Sequence, residues 1–332
     1  MRIALLGAGR IGAAHARVIA ADPRVDRLTI ADVDADRAST VARAVGGHAA
    51  ADAASAIADA DALVIATSTT THAELIRAGI ARGIPVFCEK PLAGDLATSI
   101  AVAQEVDAAG AQVQIGFQRR FDAGYVEARR TIAAGELGTV YLARLAGHDP
   151  APPHEAYIPT SGGLFRDFTI HDFDIIRWLL DDEVEEVWAL GAVREFPVFA
   201  KYADVDTAIA MLRMRSGVLV TLDVTRDDPR GYDVRAELFG SRDSIAVGLG
   251  PRTPIRSVEP GVPAPDEPGW PGFYDRFIDA YVRELTAFIG FAMDGGPSPC
   301  SAREALQALR VAEAATLALT SGRPVRLAEI AG

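Results

Sequence analysis

Cysteine is nearly absent from this chain: Cys88 and Cys300 are the two in 332 residues. Neither belongs to a Cys-x-x-Cys pair, and two thiols make no disulfide framework, so a reducing compartment, the cytoplasm, is expected. Cys88 follows an apolar stretch and reads as a buried thiol rather than a reactive one. The six histidines, His15, His48, His72, His148, His154 and His171, show neither HxxxH spacing nor a cysteine neighbour. No metal is therefore expected. The Gly-x-Ser-x-Gly elbow of a serine hydrolase is missing too. No apolar run approaches the length of a membrane span. The opening run Arg2 to Leu6 is too short for a secretory signal and stops at Gly7. Positive charge is in deficit: 33 Lys and Arg against 45 Asp and Glu leave a net charge of −12. Nucleic acid and anionic membranes both need a basic surface, so neither is an expected partner. A small neutral substrate is untouched by that argument.

What the chain does have begins at its first residues. Arg2 to Leu6 reads as a buried strand and runs straight into Gly7-Ala8-Gly9-Arg10-Ile11-Gly12. A helix-favouring stretch follows over residues 13–21, and a second strand over 28–31 ends at Asp32. Strand, GxGxxG, helix, strand and a distal acid form the dinucleotide-binding fingerprint. Gly7 makes the turn, Gly9 lets the backbone approach a pyrophosphate, and Gly12 allows helix and strand to pack closely. Arg10 and Ile11 lie at the helix N-terminus, which attracts the phosphates. Asp32 would accept hydrogen bonds from both ribose hydroxyls and repel a 2′-phosphate, which favours NAD over NADP. Alternatively, Asp32 merely caps the helix over 36–44. Arg37 is the one nearby cation that could soften the preference for NAD.

The βα alternation continues to about residue 116, which implies a doubly wound parallel sheet. Ligands in such sheets sit beyond the carboxyl ends of the strands. Ser68 and His72, in the polar loop after the strand over 62–66, fall there, and so does Glu89-Lys90-Pro91. His72 reads as a helix-start residue lining the cofactor cleft. Lys90 at the mouth of a sheet can stabilise a developing oxyanion, and the bond before Pro91 is a candidate for the cis form. Its bland alternative is a lysine paired with Glu89 or Asp167.

At 332 residues the chain exceeds the size at which one core usually keeps growing, so two domains are expected, over 1–120 and 121–332. In the second, a loop over 148–163 leads into Gly162-Gly163-Leu164-Phe165-Arg166-Asp167-Phe168-Thr169-Ile170-His171-Asp172. Thr169 and Asp172 have capping-box spacing for a helix over 170–180. Asp167 and His171 then lie four residues apart at its entrance. An imidazole titrates near neutral pH and can take and return a proton. Trp178 reads as core, and Asp174 with Arg177 as a helical pair of small value. The loop over 148–163 is equally a lid and an ordinary connection. Strands with period-2 alternation follow, joined by turns at Ser216-Gly217 and Gly240-Ser241-Arg242-Asp243. They predict a mostly antiparallel sheet. One of its faces, with Leu219, Thr221, Arg235 and Glu237, meets either another subunit or solvent. Amphipathic helices over 273–293 and 301–320 close the domain.

Together, Gly7-x-Gly9-x-x-Gly12, Glu89-Lys90-Pro91, and Gly162-Gly163 with Asp167, His171 and Asp172 resemble the glucose–fructose oxidoreductase/inositol dehydrogenase/MocA family. The likeness covers nearly the whole chain. Longer pieces are similar to its inositol dehydrogenase branch, among them residues 116–122, 149–153, 161–174, 204–208 and 231–241. The resemblance implies an α/β architecture, with an N-terminal Rossmann domain and then an α/β domain with a large open, mostly antiparallel sheet. That second domain binds substrate and forms subunit contacts, so a dimer or tetramer is expected. It implies Lys90, Asp167 and His171 as catalytic residues, and Arg120, Asp149 and Tyr232 near the other substrate hydroxyls. The implied activity is NAD-dependent oxidation of a cyclitol secondary alcohol, myo-inositol first, to the ketone. Another polyol or sugar (scyllo- or chiro-inositol, glucose) and a non-catalytic NAD-binding regulator are the alternatives. One departure is Gly147-His148-Asp149-Pro150, where inositol dehydrogenases often read Ser-Arg-Asp-Pro.

Overall fold

The structure is a computed structural model that describes residues 1–330. It divides into two units. One comprises Met1–Gln118 with Asp279–Gln307, and the other Arg119–Ile278 with residues 308–330. The division therefore differs from a single cut at residue 120, because a C-terminal segment returns to the first unit.

The first unit alternates β1 (Arg2–Leu6), α1 (Arg10–Ala21), β2 (Arg27–Ala31), α2 (Ala35–Val45), β3 (His48–Ala49), α3 (Ala53–Ala58), β4 (Ala62–Ile65), α4 (His72–Arg82), β5 (Val86–Glu89), α5 (Leu96–Ala109) and β6 (Val113–Gly116). The strands form one sheet in the order β3-β2-β1-β4-β5-β6, and every pairing in it is parallel. β3 and α3 escaped the sequence reading because two and six residues are too short to show a period. The central strands are apolar throughout, as strands covered on both faces must be. Ile3, Leu5, Ile30, Val64 and Phe87 pack into a core completed by Leu285, Phe288 and Ile289. That packing draws residues 279–307 back to the N-terminal unit.

The second unit carries α6 (Ala123–Ala133), β7 (Val140–His148), α7 (Ile158–Ser161), α8 (Ile170–Leu180), β8 (Val184–Ala192), β9 (Thr207–Met214), β10 (Leu219–Thr225), β11 (Asp233–Gly240), β12 (Ser244–Val247) and, near the end of the chain, β13 (Val325–Arg326). The divisions at 278/279 and 307/308 fall inside α9 (Phe273–Asp294) and α10 (Ala302–Ser321), so each helix contributes residues to both units. α9 bends at Phe277, whose φ of −116° and ψ of 16° are not helical. Its sheet runs in the order β12-β11-β7-β10-β9-β8-β13. The two turns seen in the sequence do make hairpins, β9 with β10 and β11 with β12. β7 inserts between the hairpins, parallel to β10 and antiparallel to β11. A hairpin reading cannot anticipate that insertion, because nothing local to 140–148 names its partners.

Alternation splits this sheet cleanly. Leu212, Val220, Leu222, Val224 and Leu238 are buried on one face, whereas Tyr141, Trp188, Leu190, Ile209, Met211 and Leu219 remain largely exposed. The register sets Trp188 opposite Met211 and Leu190 opposite Ile209, so these side chains form a band rather than scattered points. Among the described residues, no helix is long and apolar enough to cross a membrane.

Candidate active site

In the first unit two of the fingerprint glycines, Gly7 and Gly12, sit where a side chain is impossible. A Cβ on Gly12 would lie 1.9 Å from the Gly7 carbonyl oxygen, and one on Gly7 2.3 Å from that of Ala66. Gly9 differs: a Cβ there would meet nothing within 4 Å. It is also the N-cap of α1, with no side chain capping the helix and no acid in its first turn. Arg10 and Ile11 open that turn. Bare backbone N–H groups at a helix start, with open space before them, suit a pyrophosphate.

Asp32 follows β2 and is tied down twice. It accepts from the Ala8 backbone N–H at 2.6 Å and from the Asp34 N–H at 2.9 Å. The cap of α2 is Asp34, which accepts from the Arg37 N–H at 3.0 Å. Asp32 is therefore not spent on capping. Arg37 does stand beside it, at 3.6 Å, so the carboxylate is partly neutralised.

At the carboxyl ends of β4 and β5, Ser68 is exposed and Lys90 half-buried. The Lys90–Pro91 bond is cis. Glu89 pairs with His15 of α1 at 2.7 Å. His72 is buried, with Nδ1 2.8 Å from the Pro91 carbonyl and Nε2 3.3 Å from that of Thr67. Burial pulls its pKa down. A neutral ring has one N–H, and the shorter contact claims it. His72 thus holds the backbone that carries Lys90. Cys88 is fully buried and its thiol pKa is pushed up by burial, in keeping with an inert thiol.

The second unit supplies charged side chains. α8 begins where the sequence placed it, but the capping box does not form. Residues Phe165–Thr169 make a π-helical turn that runs directly into α8. Thr169 is already helical, at φ −70° and ψ −16°, and its hydroxyl donates to the Leu164 carbonyl at 3.3 Å. Asp172 is fully buried against the equally buried Arg119. Burial opposes the charge of Arg119, yet Asp172 outweighs it and the guanidinium pKa rises. Asp174 likewise pairs with Arg120 through two hydrogen bonds, 2.8 and 2.6 Å long. Arg177 holds Glu183 at 2.6 and 2.7 Å. Arg129 lies 4.4 Å over the half-buried Trp178 ring.

Asp167 sits in the π-helical turn, with His171 four residues on. One oxygen of Asp167 accepts from the Tyr157 hydroxyl at 2.8 Å and the other from Arg226 at 2.9 Å. The same guanidinium donates to Asp149 at 3.3 Å. Tyr232 is buried, edge-on to both Phe168 and Phe277, and burial pushes its phenol pKa up. Arg226 and Tyr157 were missed by sequence reasoning. The usable signal was that Arg226 is the first residue beyond β10, at a strand's carboxyl end.

His148 Nε2 donates to Asp223, 2.7 Å away, with Asp228 and Asp233 at 3.6 and 3.8 Å from its other nitrogen. Burial lowers its pKa, but the Asp223 hydrogen bond and the three carboxylates outweigh burial, so the net shift is upward. His148, Asp228 and Asp233 bring potential ligand atoms within 4.8 Å of one another. Arg235 already donates to both oxygens of Asp233, so the guanidinium partly neutralises the group.

Two family models match this chain. Residues 1–117 match the oxidoreductase family with an NAD-binding Rossmann fold, and residues 125–246 the GFO/IDH/MocA C-terminal domain. The chain belongs to the GFO/IDH/MocA family. Its first unit is an NAD-binding Rossmann domain, and Gly9 with the uncapped α1 fits that cofactor. A myo-inositol dehydrogenase of Streptomyces leeuwenhoekii is 37% identical over 330 residues, covering 97% of this chain and 98% of its own. A myo-inositol 2-dehydrogenase of Thermotoga maritima is 37% identical over 341 residues, covering 100% of both. The crystal structure of scyllo-inositol dehydrogenase from Lactobacillus casei, with bound NAD(H) and scyllo-inositol, superposes with a TM-score of 0.88 at 27% identity, covering 99% of each chain.

Proposed function

We propose that this oxidoreductase is an NAD-dependent cyclitol dehydrogenase that converts a secondary alcohol of myo-inositol to the 2-ketone. The observation that carries the reading is the doubly held Asp167 one turn before His171, in a family whose similar members are named inositol dehydrogenases. NAD, when bound, accepts the hydride that leaves the alcohol carbon. His171 takes the hydroxyl proton, and Lys90 stabilises the alkoxide character that develops on the oxygen. Asp167 holds the substrate hydroxyl and orients His171 or Lys90. Asp149, Arg120 and Tyr232 are assigned to the remaining ring hydroxyls. Arg120 is held by the bidentate pair with Asp174, and both side chains are buried.

A panel of myo-, scyllo- and chiro-inositol and glucose with NAD, followed at the NADH absorbance, tests this. Myo-inositol is expected to turn over best. NAD binding without turnover of any polyol would replace the enzyme with a regulator. The departure at His148 favours including scyllo-inositol as the competing substrate.

The exposed apolar band of the second sheet supports a homo-oligomer, a dimer or tetramer built through that face. Light scattering in solution checks it, and a monomer at micromolar concentration would rule it out. The two buried free thiols suit a cytoplasmic enzyme.

A further inference from the structure

We propose that Arg226 is a positioning residue for the reaction: it fixes the carboxylate plane of Asp167, using Asp149 as its second anchor. The inference rests on the reading of Asp167 and His171 as the proton-handling pair.

The strand register creates the arrangement. β7 and β10 run parallel with His148 beside Thr225, and the Asp149 N–H donates to the Thr225 carbonyl at 3.0 Å. The first residues past both strands, Asp149 and Arg226, are therefore neighbours at the carboxyl edge of the sheet. Arg226 is fixed at its backbone, where its N–H donates to the Asp206 carbonyl at 2.8 Å. Its guanidinium lies 5.9 Å from the Phe168 ring centroid.

Two different nitrogens of that guanidinium serve two carboxylates, at 3.3 Å for Asp149 and 2.9 Å for Asp167. The fork is planar and rigid, so fixing one end aims the other. Asp167 is also gripped from its second oxygen by Tyr157. A carboxylate held at both oxygens by donors from two separate segments loses its freedom to rotate.

The burial gradient separates this from a plain structural ion pair. The Arg226 side chain is 3% exposed, whereas those of Asp149 and Asp167 are 18% and 12% exposed. The cation stands behind and the acids face the open edge. A pair serving stability alone would gain nothing from leaving both acids partly open.

Full-length Arg226→Gln and Arg226→Lys, loaded with NAD, provide the test. Misplacing an aligned group by about 1 Å can cost about 10²-fold in rate. Arg226→Gln should therefore lose about 10²-fold in kcat, with the KM for the cyclitol and the NAD affinity changed by less than about threefold. Lysine keeps the charge but reaches one carboxylate at a time, so Arg226→Lys should recover part of kcat and not all of it. Should Arg226→Gln fail to fold, Tyr157→Phe loosens the same carboxylate from its exposed side and should lower kcat about tenfold. Wild-type kcat in either Arg226→Gln or, with that variant unfolded, Tyr157→Phe overturns the positioning role. A loss confined to KM overturns it as well. Wild-type enzyme that oxidises no cyclitol sinks the proposed function and this role together. Wild-type turnover with an unaffected Arg226→Gln sinks the role alone.

Discussion

In the Rossmann unit the fingerprint turn presents main chain, whereas the second unit holds charged side chains by other charged side chains. Gly7, Gly9 and Gly12 act by what they lack, and their geometry follows from neighbours within a few residues or one strand away. Asp167, Asp172 and Asp174 act through Arg226, Arg119 and Arg120, which are 59, 53 and 54 residues distant in sequence. A backbone site costs little to build and tolerates the rest of the chain. A site of buried charges depends on every partner, because an unpaired buried charge is expensive.

The largest expected effect belongs to the second unit. His171→Ala removes the proposed base and should lower kcat about 10²–10⁴-fold, with NAD affinity unchanged. Steady-state turnover together with an NAD titration checks both halves of that statement. Unchanged turnover would erase the proton-handling assignment, and a parallel loss of NAD binding would blur the division of labour between the units.

Next comes stability. Asp172→Ala strands Arg119, which is 1% exposed, and should cost about 3–5 kcal/mol in denaturant unfolding. Glu127→Ala, in a pair whose two side chains are 64% and 53% exposed, should leave denaturant unfolding nearly unchanged, because solvent screens the pair. Equal costs for the two would show that burial does not set the value of these pairs.

The smallest effect is one of pH. The folded-state pKa of His148 is raised. Its charge therefore contributes stability fully below the unfolded value, about 6.5, and that contribution is lost as pH rises through the folded value. The stability gap between wild type and His148→Gln should be wider at about pH 5.5 than at about pH 9. His148→Arg, permanently charged, should remove that slope. A gap that widens with pH would reverse the assignment.

Much of this was legible in advance. The parallel sheet of the first unit showed in its βα rhythm, and α8 and the two hairpins of the second unit in their periodicity and turn residues. The capping box at Thr169 was not legible correctly. Its spacing is right, but Asp172 is paired with Arg119, and a π-helical turn leads into α8 so that Thr169 is already helical. Asp174 and Arg177 also have helical spacing, and the fold gives each a strong ion partner that the spacing does not reveal, Arg120 and Glu183. Local spacing states which contacts are possible; it does not rank them against partners brought in by the fold.

The amino-acid order alone determined the nucleotide-binding turn, because steric exclusion at Gly7 and Gly12 involves atoms that are close along the chain or in the adjoining strand. It also determined that Val220, Leu222 and Val224 share one face of β10, because strand periodicity is a property of consecutive residues. Only the tertiary structure decided that β7 lies between two hairpins, and with it that Asp149 and Arg226 stand side by side. The pairing of each buried acid with its arginine was settled the same way. Those choices depend on competition among distant partners for the same desolvated space, and no segment of sequence holds both sides of that competition.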